Sequence, residues 1–219
     1  MSSPSAAVDK LIAGAKSGDL TQVLRCLKMG IDVNSTDLSG RSALYAASYA
    51  GYLDIVRELI SQKADVNKRN HDGETALIIA TYKGHFEVVN ALIFEGKADV
   101  NKRNINEATA LFYACSASND TKITKLLLVA DADVNVQDKN GRSALMYSCT
   151  KKYVDQVRLL LKHDADVNLR CEKGHTALDY AIKQGCKEIV QLLDTVSRLI
   201  LHDFFNTGFL FSKPTFPNN

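Results

Sequence analysis

The chain has 219 residues, 46% apolar and 24% charged, the balance of a folded globular protein and not of a disordered one. Its 27 Lys and Arg against 25 Asp and Glu leave a formal charge of +2, too small for general electrostatic capture of nucleic acid or a membrane surface. DNA binding is therefore not expected, and any basic site must be local.

The amino terminus, MSSPSAAVDK, has no positive head followed by an apolar stretch, and no apolar run reaches the roughly 18 residues of a membrane-crossing helix. Residues 1–37 open with Ser3 and Pro4, a good helix start because proline has no N–H to leave unpaired, and read as an amino-terminal capping unit. Next come four units of one design, at 38–70, 71–104, 105–138 and 139–171. Their markers are IDVN at 31–34, then ADVN at 64–67, 98–101, 132–135 and 165–168, at spacings of 33, 34, 34 and 33. A second marker runs in phase: SGRSAL ends at Leu44, DGETAL at Leu77, NEATAL at Leu111, NGRSAL at Leu145 and KGHTAL at Leu178.

After each SAL or TAL, small and apolar residues recur at helical spacing, a turn follows at Gly51, Gly84 or Gly185, and a second apolar helix such as HFEVVNALI at 85–93 completes the unit. Ser42, Thr75, Thr109, Ser143 and Thr176 stand where a hydroxyl caps the first helix. Residues 172–203 form a carboxy-terminal capping unit, because IVQLLDTVSRLILHDFF replaces the next ADVN loop and extends the last helix to about Phe205. Residues 204–219 carry five of the eight phenylalanines and have two readings: a hydrophobic lid over the last unit, or an exposed anchor for a partner or a second copy of the chain.

At this point the sequence resembles the ankyrin repeat family, with Asp138, Gly141, Ser143 and Leu145, then Ala165 to Asn168, carrying one full instance of its motif. The resemblance implies an all-α repeat solenoid of stacked helix-turn-helix units with protruding, β-hairpin-like finger loops. The departures are specific. The family's Pro is Ala throughout, and its His is Tyr45, Ile78, Phe112, Met146 and Asp179. Glu107 replaces a turn glycine, Lys152 replaces an interhelix glycine, and SASNDTK carries an extra residue, so the units at 105–138 and 139–171 are the irregular ones.

No P-loop, dinucleotide fingerprint or H-E-x-x-H is present, Cys171 and His175 are two ligands and not a zinc site, and the repeated aspartates are one structural position copied. No cofactor or metal is implied, and no enzyme is expected. The resemblance places partner binding on the finger loops and first helices of a concave groove, at Arg41, Tyr49, Arg69, His71, Glu74, Tyr82, Lys83, Arg103, Ile105, Asn106, Lys139, Arg142, Lys151 and Arg170. Tyr beside Arg is the composition of a protein interface, and the paired KRN at 68–70 and 102–104 suggests a partner with an acidic face. An adaptor or scaffold is the leading reading. The alternative is an electrostatic binder of phosphate groups, in RNA or phosphoinositide, through the basic fingers. The resemblance also implies possible hydroxylation of Asn67, Asn135 and Asn168, each eight residues after a leucine.

Overall fold

The computed structural model describes residues 4–207, with side chains from Ala6 to Arg198. Among the described residues, twelve α-helices follow one another as pairs: α1 (Pro4–Ser17) and α2 (Leu20–Lys28), α3 (Ala43–Ala50) and α4 (Leu53–Ser61), α5 (Ala76–Lys83) and α6 (Phe86–Asn90). Then come α7 (Ala110–Ala117) and α8 (Lys122–Val129), α9 (Ala144–Lys151) and α10 (Val154–Lys162), α11 (Ala177–Gln184) and α12 (Lys187–Thr207). Each first helix packs on the next, α3 on α5, α5 on α7, α7 on α9 and α9 on α11, and α1 covers both α2 and α3. The result is one continuous apolar core that runs the length of the stack, including Leu44, Leu77, Leu111 and Leu145. The expected all-helical repeat architecture is present.

The first helices begin as the hydroxyls require. Ser42, Thr75, Ser143 and Thr176 accept from the backbone N–H three residues on, and Asp179 completes a capping box with Thr176. Thr109 is the exception and makes no side-chain cap bond. The first helices end where Gly51, Gly84 and Gly185 adopt a left-handed backbone. Lys152 holds the same conformation at φ 59°, and Glu107 does so at φ 59° in the finger, so both irregular positions keep the turn and absorb the strain of a side chain. The pair α7–α8 departs instead: Ser118 is extended, and the loop is tied down by Gln156. Gln156 Nε2 donates to the carbonyls of Ser118 at 2.9 Å and Asp120 at 3.0 Å from a fully buried position on α10. The unit at 71–104 is also one residue longer than its predecessor, and a π-helical turn, Ala91–Glu95, absorbs that residue, continuing α6 and leaving Phe94 exposed.

Two ladders lock successive units. In the ADVN loops, Asn34 Oδ1 accepts from Asp65 N at 2.7 Å, Asn67 from Asp99 at 2.9 Å, Asn101 from Asp133 at 2.8 Å and Asn135 from Asp166 at 2.8 Å. Each aspartate in turn caps the asparagine N–H two residues on, as Asp65 does for Asn67. At the fingertips, His71 N donates to Ser39 O, Ile105 N to Asp72 O, Lys139 N to Asn106 O and Glu172 N to Asn140 O, each at 3.0 Å. Isolated antiparallel bridges, Thr36 with Ser42 and Gln137 with Ser143, give two fingers a minimal hairpin. Helix α12 reaches Thr207, in keeping with a helix to about Phe205. Both readings of the apolar tail fall outside the described residues.

Lys152→Gly should stabilise the protein by about 0.5–1 kcal/mol in chemical denaturation, because glycine relieves the left-handed strain and keeps the turn. Gln156→Leu should cost about 2–3 kcal/mol in the same measurement, because it strands buried carbonyls of the α7–α8 loop without a donor.

Candidate functional site

The first helices and fingers carry a continuous row of aromatic rings and cations. Lys83 Nζ lies 4.3 Å from the ring centre of Tyr49 on α3 and 5.4 Å from that of Tyr82 on α5. Both distances suit a cation–π contact. Tyr82 meets Tyr113 edge to face at 5.7 Å, Tyr113 meets Phe112 at 5.8 Å, and Phe112 meets Tyr147 at 4.3 Å. The Arg142 guanidinium then sits 5.4 Å from Tyr147 and 5.7 Å from Tyr180, and Tyr180 meets His175 at 5.8 Å. The row thus crosses five successive units, with Tyr49 42% and Tyr82 52% exposed at one end.

Tyr49, Tyr82, Lys83 and Arg142 are candidates named from the sequence, and the fold brings them into this row. Phe112, Tyr113, Tyr147, Tyr180 and His175 were not among the candidates. A register signal existed for three of them: Tyr113, Tyr147 and Tyr180 each stand two residues after the repeating leucine, whereas Tyr49 and Tyr82 stand five after it. Those positions lie about one helical turn apart, on one helix face.

The other candidates are placed differently. Glu74 does not project from its finger: it accepts from Tyr45 Oη at 2.6 Å and from Asn70 Nδ2 at 3.1 Å, joining two units. The KRN stretches are not free basic motifs. Asn70 and Asn104 are buried and fold the finger turns through their side-chain oxygens, Lys102 pairs with Asp99 at 3.2 Å, and Arg103 pairs with Glu107 at 3.4 Å. Arg69 and Arg170 brace their own fingers by donating to the carbonyls of Gly73 and Gly174. Arg41, Lys139 and Lys151 are exposed and form no ion pair among the described residues, and Ile105 is exposed while Asn106 is half-buried at its tip. Asn67 and Asn135 serve the loop ladder, and exposed Asn168 ends it.

Among the described residues, no group of three or more His, Cys, Asp or Glu could hold a metal ion, and no helix is long and apolar enough to cross a membrane. Burial pushes the thiols of Cys115 and Cys149 up to about 12, which keeps them protonated and unreactive.

A family model described as ankyrin repeats (3 copies) matches residues 11–104 and 111–196, most of the chain. The chain belongs to the ankyrin repeat family. No curated protein matches it. Among solved structures, 564 chains match, so the ankyrin fold alone does not single out a partner. One of them belongs to the structure of Bd0816 predatory endopeptidase from Bdellovibrio bacteriovorus in complex with immunity protein Bd3460. It is 29% identical with a TM-score of 0.76, over 85% of this chain and 97% of that one.

Desolvation, reinforced by the hydrogen bond to Glu74, raises the Tyr45 phenol well above its ordinary value. The ankyrin fold holds this proton more tightly than the unfolded chain, so its stabilising effect is complete below pH of about 10 and declines above it. Thermal melts should therefore show falling Tm above about pH 10, with a shallower slope in Tyr45→Phe than in the wild type.

Proposed function

We propose that this ankyrin protein is a noncatalytic adaptor or scaffold that grips an acidic segment of a protein partner along the row from Tyr49 to His175. The observation that carries the reading is the alternation of that row: tyrosines, which anchor interfaces at low entropic cost and are exposed at 49 and 82 and half-buried at 113, 147 and 180, are interleaved with Lys83 and Arg142, neither of which has a carboxylate partner among the described residues. Lys151, Lys139 and Arg41 add unpaired positive charge on the same helices and fingers. Ankyrin repeats are general protein-interaction modules, and the similar solved chain comes from a complex of two proteins.

The phosphate-binding alternative draws less support. Of its basic residues, Lys102 and Arg103 are neutralised by neighbouring carboxylates, and Arg69 and Arg170 are engaged with finger carbonyls. A noncatalytic role fits the use of the repeated aspartates, since Asp65, Asp99, Asp133 and Asp166 each cap a backbone N–H of the next turn. Five free cysteines, four of them buried, suit a reducing intracellular compartment, cytoplasmic or nuclear.

Affinity capture decides between the readings. Proteins retained by the wild type should be lost with Tyr82→Ala and with Arg142→Ala, each weakening binding by about 30-fold, while Arg103→Ala retains them. Retention of RNA or phosphoinositide vesicles that falls steeply with salt, with no effect of Tyr82→Ala, would establish the phosphate reading instead.

A further inference from the structure

Fingertips and first helices change character along the stack. At the fingertip position that follows Asp37, Asn70, Asn104, Asp138 and Cys171, successive units place Leu38, His71, Ile105, Lys139 and Glu172. Leu38 is 99% exposed and Ile105 59%. Five residues after the repeating leucine, Tyr49 and Tyr82 give way to Ser116, Thr150 and Lys183. At these positions, the large apolar side chains that stand exposed all belong to the units at 38–70, 71–104 and 105–138.

Charge is sorted the other way. The fingers and first helices of the last two units present Lys139, Arg142, Lys151, Lys173 and Lys183, none of which forms an ion pair among the described residues. Carboxylates beside them are mostly engaged: Asp138 is buried and accepts from the N–H groups of Asn140 and Arg142, Asp179 is held in the capping box with Thr176, and Glu172 is exposed. Earlier fingers carry the exposed carboxylates Asp72 and Glu107, with Glu107 paired to Arg103. Arg41 and Lys83 are unpaired cations of that half, and Lys83 lies over two tyrosine rings. Solubility does not require such sorting, because charge of both signs interspersed over every finger would solvate the stack as well.

We propose that the segment gripped by the row is bipartite, its apolar residues resting on Leu38, Tyr49, Tyr82 and Ile105 and its acidic residues on Lys139, Arg142, Lys151 and Lys183. The proposal rests on the row being the binding surface, and it assigns the two halves of that surface to different chemistry. An evenly acidic segment would set carboxylates against Asp72 and Glu107 and leave the exposed leucine and isoleucine in water. A wholly apolar one would strip water from the lysines without supplying a counter-charge. Spacing follows from the stack. Helix α5 packs on α7 and α7 on α9, so Tyr82 and Lys151 stand two helix-to-helix steps apart, about 20 Å at the usual interaxial distance. An extended chain covers that in about six residues, which sets the separation of the apolar and acidic parts.

The test selects from a random peptide library displayed on phage, with the full chain as bait, and measures the enriched peptides by fluorescence anisotropy. Enriched sequences should pair Leu, Ile, Phe or Tyr with a cluster of Asp or Glu about six positions away. Lys139→Glu combined with Lys151→Glu should weaken the best peptide by about 30-fold and, on reselection, turn its acidic cluster basic while the apolar residues persist. Tyr82→Ala should relax the apolar residues and keep the acidic ones. Acidic residues scattered through the enriched peptides, or kept under the charge reversal, overturn the bipartite segment, and the row still stands if Tyr82→Ala and Arg142→Ala weaken those peptides. Peptides indifferent to both of those changes, or a selection that enriches nothing, overturn the row and the segment together. A labelled oligouridylate that binds where no peptide does, is lost with the charge reversal and ignores Tyr82→Ala also overturns the proposal and gives the basic half to nucleic acid.

Discussion

The structure depends on one constraint: a pair of helices eight and nine residues long cannot bury its own apolar faces. Leu77 reaches 1% exposure only because α3 and α7 lie on either side of α5. Stability is therefore held between units and not within them. The same constraint accounts for the ADVN loop. Its asparagine reaches forward to the next unit's aspartate N–H, and that aspartate folds its own loop, so a short sequence serves both the turn and the stacking.

Departures from the repeat show how local the compensation is. An extra residue before Gly96 becomes a π-helical turn that leaves α5 undisturbed, and the long α7–α8 loop is held by one buried glutamine from the following unit. Gln156 occupies the position that Ile55 fills in an earlier unit, so a polar residue in the core is matched to the irregular backbone beside it. Lys152 and Glu107 keep the left-handed turns of the glycines they replace, because stacking on both sides imposes the turn on whichever residue stands there.

The aromatic row is a by-product of the same stacking. Each of the helices α3, α5, α7, α9 and α11 offers one or two exposed or half-buried aromatic positions, and stacking sets those of adjacent units within contact distance. Tyr82 and Tyr113 are 31 residues apart in the chain and 5.7 Å apart in space. Charge on the fingers is reorganised in the opposite sense. The doubled Lys-Arg pair reads as the main basic feature, yet nearby carboxylates neutralise it in one finger, and the cations left without carboxylates lie on the aromatic row and at scattered tips.

Repeat period, helix order, caps and the family were legible in the order of residues, because each is set by contacts within one unit or by a motif recurring in phase. Tyr49, Tyr82 and Arg142 were legible as surface candidates for the same reason. Stacking decided what periodicity does not encode: that Tyr49 and Tyr180 belong to one row, that Glu74 ties two units through Tyr45, and that Ile182 is exposed where its four counterparts are buried. These are relations between side chains about 30 residues apart or more, and they exist only once neighbouring units fix each other's distance and register.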